Sequence, residues 1–192
     1  EVIGYKHGYN GLIDQEFKPL VPANVTNIIQ RGGTILKSGR CEDFHIEESG
    51  RAAAKNLHAL NVDALLVIGG NGSFRGAHHL CKYYKGQVIG LPGTIDNDIS
   101  GTDASIGYYT AIETALDSID KVRDTADAFE RIFLIEVMGR HAGFIALNAA
   151  VASAADRVIV PEACNDIDLE VDNIIEHLHA VYSQRGISSY IV

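Results

Sequence analysis

Residues Val62-Asp63-Ala64-Leu65-Leu66-Val67-Ile68 form an almost unbroken apolar run, which Gly69-Gly70 closes. A run of this length and composition predicts a strand that is buried on both faces of a parallel sheet. Residues 87–91 and 131–137 have the same character, and residues 157–160 form a fourth short run. These four stretches predict the strands of an α/β sheet.

Helical patterns fill the intervals between the predicted strands. Apolar side chains recur at helical spacing over residues 25–29, 53–60, 103–125 and 168–182. Residues 143–155 are small and apolar nearly all round, so we expect a buried helix there. Alternating strands and helices with short links predict right-handed crossovers. The predicted fold is therefore a doubly wound, mostly parallel sheet with helices on both faces.

Composition narrows the class of protein. The chain has 192 residues, of which 46% are hydrophobic and 21% charged, which is typical of a globular protein. Sixteen Lys and Arg against 25 Asp and Glu give a net charge of −9, which argues against a nucleic-acid partner. The longest uncharged run is too short to span a bilayer, so no membrane partner is predicted. Three scattered cysteines without a CxxC pair favour a reducing, cytoplasmic location.

Both ends of the sequence resemble strands that continue beyond it. Residues 1–5 have the pattern of a strand, the single methionine is Met138 rather than residue 1, and residues 187–192 have the pattern of another strand. We therefore expect the chain to be an incomplete piece of a longer protein.

Ligands of doubly wound sheets bind beyond the carboxyl ends of the strands, so the loops there are the candidate sites. The first such loop reads Gly69-Gly70-Asn71-Gly72-Ser73 and leads into a predicted helix. Glycines let backbone N–H groups converge, and a helix start adds positive potential, so the loop predicts an anion cradle. The alternative is a tight turn that Ser73 caps without binding anything.

The second loop, Pro92-Gly93-Thr94-Ile95-Asp96-Asn97-Asp98-Ile99, carries two carboxylates one residue apart. One carboxylate could accept a proton from a substrate hydroxyl while the other holds a divalent cation over phosphate oxygens. Asp and Asn also favour turns, so a turn without function is the alternative.

Arginines follow two further predicted strands. Arg140 lies in Met138-Gly139-Arg140-His141 at a predicted helix start, where a guanidinium could clamp a phosphate. Arg40 follows residues 34–36, a further predicted strand end, and could close on the same pocket. The alternative for Arg140 is a solvated surface arginine.

Together these loops resemble the 6-phosphofructokinase family. The resemblance covers nearly the whole chain, and the run Gly90 to Ile99 is its most specific part. It also rests on Arg31-Gly32-Gly33-Thr34, Ser38-Gly39-Arg40, Ile68 to Ser73, Gly101-Thr102-Asp103, Ile106-Gly107, Arg123-Asp124-Thr125 and Glu136 to Arg140.

This resemblance implies transfer of the γ-phosphate of ATP, with Mg²⁺, to the 1-hydroxyl of fructose 6-phosphate. It implies Asp96 as the general base and Asp98 as a metal ligand, with Asn71 at the position of the family's metal-binding aspartate. The other implied roles are sugar-phosphate binding by Thr94, Ile95, Asp96, Arg131, Met138, Gly139 and Arg140, nucleotide binding by Arg40, Cys41, Gly70, Asn71, Gly72 and Ser73, and effector binding by Arg123.

The resemblance further implies a homotetramer with shared active sites, in which Arg131 reaches a neighbouring subunit. It implies a nucleotide-binding lobe over residues 1–107, lacking its first strand, and the beginning of a sugar-phosphate lobe over 108–192. Gly72 and Gly93 are typical of ATP-dependent members, whereas pyrophosphate-dependent members tend to carry aspartate and lysine there. The alternatives are a non-catalytic, sugar-phosphate-binding relative, because of Asn71, and a pyrophosphate-dependent enzyme.

Overall fold

The computed structural model describes residues 1–185 and 190–192, which form two compact units, Glu1–Leu91 and Pro92–Val192. The predicted lobe boundary lies farther along the chain, between residues 107 and 108, and the functional division into two lobes stays a prediction. Of the strand predicted over 187–192, residues 187–189 lie outside the described residues.

The first unit alternates short strands with helices. Among its described residues, β1 pairs with β2 antiparallel, and β3 is the hydrogen-bonded neighbour of β4. Its elements are β1 (Ile3–Tyr5), α1 (Tyr9–Asp14), β2 (Phe17–Pro19), α2 (Pro22–Val25), a 3-10 helix (Glu42–His45), α3 (Glu47–Ala59), β3 (Ala64–Gly69), α4 (Asn71–Leu80) and β4 (Gln87–Pro92), whose last residue belongs to the second unit.

The core of the first unit lies where α1, the 3-10 helix, α3 and α4 meet. Its buried side chains include Leu57 and Leu80, and burying such a leucine contributes about 2 kcal/mol. The buried amide of Asn56 donates to the carbonyls of Leu12 and Ile13 at 3.0 and 2.7 Å, so the last turn of α1 is satisfied from α3. The full cluster is Leu12, Phe44, Ala53, Ala54, Leu57, Leu80 and Tyr84.

The second unit packs two long helices and a small apolar one around a short parallel strand pair. Its core includes Ile119, Ala149 and Ile191, from α5, α6 and β6. Its elements are α5 (Tyr108–Phe129), β5 (Ile132–Phe133), α6 (Phe144–Ser153), α7 (Ile167–Arg185) and β6 (Tyr190–Ile191), with Ile132 opposite Tyr190 and Phe133 opposite Ile191.

The α/β class is confirmed, but the prediction that β3 is buried on both faces is wrong. Val67 is buried, whereas Leu66 and Ile68, which point to the other face, are 61% and 66% exposed. Within the described part of the first unit, α4 packs against β3, and Leu65 of β3 contacts the core cluster, whereas Leu66 and Ile68 lie on the side away from this core. Period-two alternation of burial replaces the expected continuous burial.

Several predicted elements are shorter than the sequence pattern indicated. The helix over 25–29 is wrong: α2 ends at Val25, because Asn27 adopts a left-handed backbone (φ 57°), and Ile29 is exposed. The strand over 131–137 is reduced to β5, and residues 34–36 and 157–160 form no strand.

Two helix predictions in the second unit also need correction. The long helix begins at Tyr108 rather than near residue 103, since Gly107 has a positive φ of 98°. Helix α6 is not fully buried: Ile145 and Ala149 are inside, but Val151 is 74% exposed.

Candidate active site

The glycine loop of the first unit joins β3 to α4. Helix α4 begins at Asn71 with Gly70 as its N-cap, so it starts three residues before the predicted Phe74, and Ser73 lies inside the first turn rather than capping it. Backbone N–H groups in the first turn of a helix lack partners within the helix, and they carry partial positive charge. The loop therefore has the chemistry of the predicted anion cradle.

Tyr9 holds this first turn in place. Its hydroxyl donates to the carbonyl of Ser73 at 2.5 Å, and its ring stacks on Phe44 with centroids 3.9 Å apart. A Cβ at Gly76 would come within 2.5 Å of the Tyr9 ring, so only glycine permits this close approach. Burial raises the pKa of the Tyr9 hydroxyl, which keeps it a donor. Sequence reasoning missed Tyr9, because its partners are 35 and more residues away.

Two glycines of the loop differ in the space around them. A Cβ at Gly69 would collide with the side chain of Ser73, so position 69 is closed to larger residues. A Cβ at Gly72 would meet no described heavy atom within 4 Å. The open space at Gly72 leaves room for a long anion beside the start of α4.

Arg40 and Cys41 precede the 3-10 helix of the same unit. The side-chain amide of Asn10 donates to the carbonyl of Arg40 at 3.1 Å, while the Arg40 side chain itself is exposed. Cys41 is half-buried against the core cluster, and burial raises the pKa of its thiol. A protonated thiol is a weak nucleophile, which suits a packing contact better than covalent chemistry.

The carboxylate loop lies in the second unit and is fixed by Asn97. The Asn97 carbonyl oxygen accepts from the backbone N–H and the hydroxyl of Ser105 at 2.8 and 3.1 Å. Asn97 itself has a left-handed backbone, φ 54°, and the backbone N–H of Asp96 donates to the Thr94 hydroxyl at 3.3 Å. These contacts fix the backbone of the loop that carries the half-buried Asp96.

The loop around Arg140 carries backbone strain. Arg140 has φ 59°, a left-handed conformation that costs a residue with a branched or long side chain about 1 kcal/mol. Gly139 before it has φ 147°, and a Cβ there would collide with the carbonyl oxygen of Ala142. Strained residues of this kind cluster at ligand-binding sites. The Met138 side chain is exposed beside them.

Glu162 anchors the helix that follows this loop. Both of its carboxylate oxygens accept from the backbone N–H of Gly143, at 2.9 and 3.1 Å, immediately before α6. The carboxylate therefore satisfies an N–H at the positive end of the helix. Sequence reasoning missed Glu162, because the contact spans 19 residues.

The hydrogen bond from Gly143 lowers the pKa of the Glu162 carboxyl below its usual range. The ionised carboxylate thus stabilises the fold above the pKa of an unfolded glutamate, about 4.3, and the contribution is lost as pH falls through the lowered folded pKa. We expect Glu162→Gln to lower the urea midpoint at about pH 7, with a difference from wild type that shrinks below about pH 4. Glu176→Gln, on the exposed surface of α7, is the matched control, and a difference that does not change with pH would contradict this origin.

Two further arginines of the second unit have local partners. The Arg123 guanidinium donates to the carbonyls of Ser153 and Ala154 at 2.5 and 3.1 Å, where it caps the C-terminus of α6. The Arg131 guanidinium lies over the Phe129 ring, 4.9 Å from its centroid. Capping of α6 is a structural role for Arg123 that requires no bound effector. Its role in effector binding stays a prediction.

The donor set for a metal ion is sparse. The described residues contain no group of three or more His, Cys, Asp or Glu that could hold a metal together. Mg²⁺ is usually held by one or two carboxylates, with waters and substrate phosphates completing its shell, so a single carboxylate such as Asp98 fits that mode, and Asn71 belongs to the other unit. Among the described helices, none combines the length and apolarity that crossing a membrane requires.

The loops described above give this α/β protein a glycine-rich helix start in the first unit and a half-buried carboxylate in the second. A model of the phosphofructokinase family matches residues 1–192, and the chain belongs to this family.

Curated relatives agree with the family match. The chain is 51% identical over 168 residues to ATP-dependent 6-phosphofructokinase 2 of Bacteroides thetaiotaomicron, covering 88% of this chain and 52% of that protein. It is 44% identical over 192 residues to the ATP-dependent 6-phosphofructokinase of Halothermothrix orenii, covering all of this chain and 57% of that protein. The chain thus spans about half the length of the curated relatives it matches.

Solved structures agree on the fold. The chain is similar to phosphofructokinase from Saccharomyces cerevisiae, with a TM-score of 0.86 and 32% identity over 99% of this chain and 29% of that one. It also resembles a pyrophosphate-dependent phosphofructokinase from Marinobacter aquaeolei, with a TM-score of 0.81, 20% identity and coverage of 99% of this chain and 50% of that one. At 20% identity the second likeness concerns the fold alone.

Proposed function

We propose that the protein to which this chain belongs transfers the γ-phosphoryl group of ATP to the 1-hydroxyl of fructose 6-phosphate, giving fructose 1,6-bisphosphate in glycolysis. The observation that carries this proposal is Asp96, half-buried on a loop that Asn97 and Ser105 hold in place, in a chain about half identical to ATP-dependent 6-phosphofructokinases. The identity of these relatives favours ATP as the donor.

The proposed reaction requires a general base and groups that bind the phosphates. Asp96 takes the proton of the sugar 1-hydroxyl as that oxygen bonds to the γ-phosphorus, and the bond from phosphorus to the β–γ bridging oxygen breaks, which leaves ADP. Thr94 and Ile95 lie beside the base, and Met138, Gly139 and Arg140 bind the sugar phosphate. Little covalent chemistry is required of the protein, since such transfer depends on positioning and charge neutralisation.

The nucleotide is assigned to the first unit. Backbone N–H groups of Gly70, Asn71, Gly72 and Ser73 hold the polyphosphate, and the open space at Gly72 accommodates its length. Arg40 contacts the phosphates and Cys41 the adenine. Asp98 and Asn71 are the residues that would hold Mg²⁺, which when bound neutralises charge on the phosphate oxygens.

The remaining assignments extend the proposal to the whole protein. We place residues 1–107 in a nucleotide-binding lobe and 108–192 in a sugar-phosphate lobe of a cytoplasmic homotetramer with shared active sites. Arg131 then serves a neighbouring subunit, and Arg123 an allosteric nucleotide.

A donor and acceptor screen of the full-length protein tests the reaction. We expect magnesium-dependent production of ADP and fructose 1,6-bisphosphate from ATP and fructose 6-phosphate, and much slower turnover when pyrophosphate replaces ATP. Faster turnover with pyrophosphate than with ATP would contradict this proposal and indicate a pyrophosphate-dependent enzyme.

Asn71 supports a second candidate, a non-catalytic relative that binds the sugar phosphate. Asparagine in place of the family's aspartate leaves the Mg²⁺ site with one negative charge fewer, and Mg²⁺ prefers carboxylate ligands. We expect Asn71→Asp to lower the magnesium concentration required for half-maximal activity by about tenfold, as measured in magnesium titrations of turnover. Asn61→Asp, at the end of α3, is the control. Calorimetric binding of fructose 6-phosphate without turnover, in wild type and Asn71→Asp alike, would favour the non-catalytic relative.

A further inference from the structure

A groove between α3 and the turn that follows α4 has no part in the proposed reaction. It has a volume of about 550 Å³ and is lined by Arg51, Ala54, Lys55, His58, Lys82 and Tyr83. The groove is wide open to solvent, so a ligand would be covered only on the side that faces α3 and the turn. Its lining combines three permanent cations, a histidine and an aromatic ring in a chain whose net charge is −9.

Two separate elements bring these cations together. Arg51, Lys55 and His58 are four and three residues apart on α3, so they share one face of the helix. Lys82 comes from the turn after α4, on the other side of the groove. Arg51 is ion-paired with Glu47, whereas Lys55 and Lys82 approach the groove from two elements without such a pair among the described ion pairs, and a bound anion would relieve the repulsion between these two lysines.

The floor of the groove is tightly packed. Ala54 is buried, and a Cβ at Gly50 would come within 2.6 Å of the Tyr83 ring. Arg51 lies over the Tyr83 ring, 5.0 Å from its centroid, and its Nε donates to Glu47 at 2.7 Å. The guanidinium is therefore held in position, whereas Lys55 and Lys82 extend as exposed, adaptable cations.

The local charge balance supports an anionic ligand. The unit that contains the groove, Glu1–Leu91, carries 10 Lys and Arg against 8 Asp and Glu. The other unit, Pro92–Val192, carries 6 against 17. The groove thus lies in the half of the chain where a multiply charged anion meets the least repulsion.

We propose that this groove is an accessory binding site for a small molecule with at least two phosphate groups, separate from the proposed active site. Lys55 and Lys82 neutralise the phosphates, and Arg51, whose Nε and one terminal nitrogen contact Glu47, offers the remaining N–H groups of its guanidinium. His58 adds a ring nitrogen at the end of the same helix face.

Calorimetry on the full-length protein at low salt tests the site, with pyrophosphate and ADP as probes. We expect the double variant Lys55→Gln/Lys82→Gln to lose one class of pyrophosphate sites, or to bind there about tenfold more weakly. Lys55→Arg/Lys82→Arg should retain this binding. The control Lys18→Gln/Lys121→Gln removes the same charge elsewhere and should leave binding unchanged.

The outcomes separate this site from the proposed reaction. Turnover that survives in the Lys55→Gln/Lys82→Gln variant, with the accessory pyrophosphate binding lost or weakened, supports the proposal. Unchanged pyrophosphate binding in this variant would overturn it, as would an equal loss in the Lys18→Gln/Lys121→Gln control. Thermal melting of each variant shows whether folding is intact.

Discussion

Replacement of Asp96 by asparagine is expected to lower kcat about 10³-fold, with little change in the affinity for fructose 6-phosphate. The amide has nearly the same size and still accepts hydrogen bonds, but it cannot take the proton of the sugar hydroxyl. The loop should keep its shape, since Asn97 and Ser105 hold it rather than the Asp96 carboxylate. Steady-state kinetics give kcat, and calorimetry gives the affinity.

Asp117→Asn is the matched control for this experiment. Asp117 forms an exposed ion pair with Lys121 on the surface of α5, and such pairs contribute little to stability. The control should therefore retain wild-type kcat. Wild-type turnover by Asp96→Asn would refute the assignment of the base, whereas a loss of both turnover and sugar-phosphate binding would indicate a positioning role.

The second large effect is expected at Arg140, where the backbone and the side chain can be tested separately. Asparagine tolerates the left-handed conformation of residue 140 better than arginine does, so Arg140→Asn should keep or slightly raise the urea midpoint. The same variant loses the guanidinium. Since charge-assisted hydrogen bonds contribute about 1.5–3 kcal/mol, we expect the KM for fructose 6-phosphate to rise about 100-fold.

Arg140→Lys completes this comparison. It keeps the charge and the strained backbone but loses the planar fork, so an intermediate KM, about tenfold above wild type, is expected. If Arg140→Asn binds the sugar phosphate like wild type, Arg140 is a solvated arginine and the strained turn has another cause. If its urea midpoint falls sharply, the loss of binding reports unfolding instead.

Local patterns predicted the parts of the fold that local chemistry determines. The apolar run ending at Gly69 became a strand because it is short, aliphatic and closed by glycines, whereas α3 and α5 became helices because their apolar side chains repeat at helical spacing. The pattern over residues 25–29 failed, because Asn27 turns the chain before the apolar residues can pack. The strand over 131–137 shrank to β5, since pairing with β6 supports only two residue pairs.

In the candidate site, too, local sequence predicted some residues and missed those that act through distant contacts. The glycine loop, Asp96 and Arg140 are adjacent to recognisable sequence motifs, so residue type and spacing were sufficient to select them. Tyr9, which holds the first turn of α4, and Glu162, which anchors the helix after the Arg140 loop, act through hydrogen bonds that span 64 and 19 residues. Contacts of that separation leave no periodic signal in a single sequence, and the strain at Arg140 depends on a backbone angle that no residue type reveals.

The uncovered side of β3 has a consequence for handling this chain. Ala64–Gly69 is uncharged, free of proline and rich in aliphatic side chains, and Leu66 and Ile68 project into solvent. Segments of this kind readily associate between molecules, strand against strand. Precipitation of the 192-residue polypeptide at high concentration would therefore begin here, and a charged substitution such as Leu66→Lys is the change to make first when the aim is a soluble preparation.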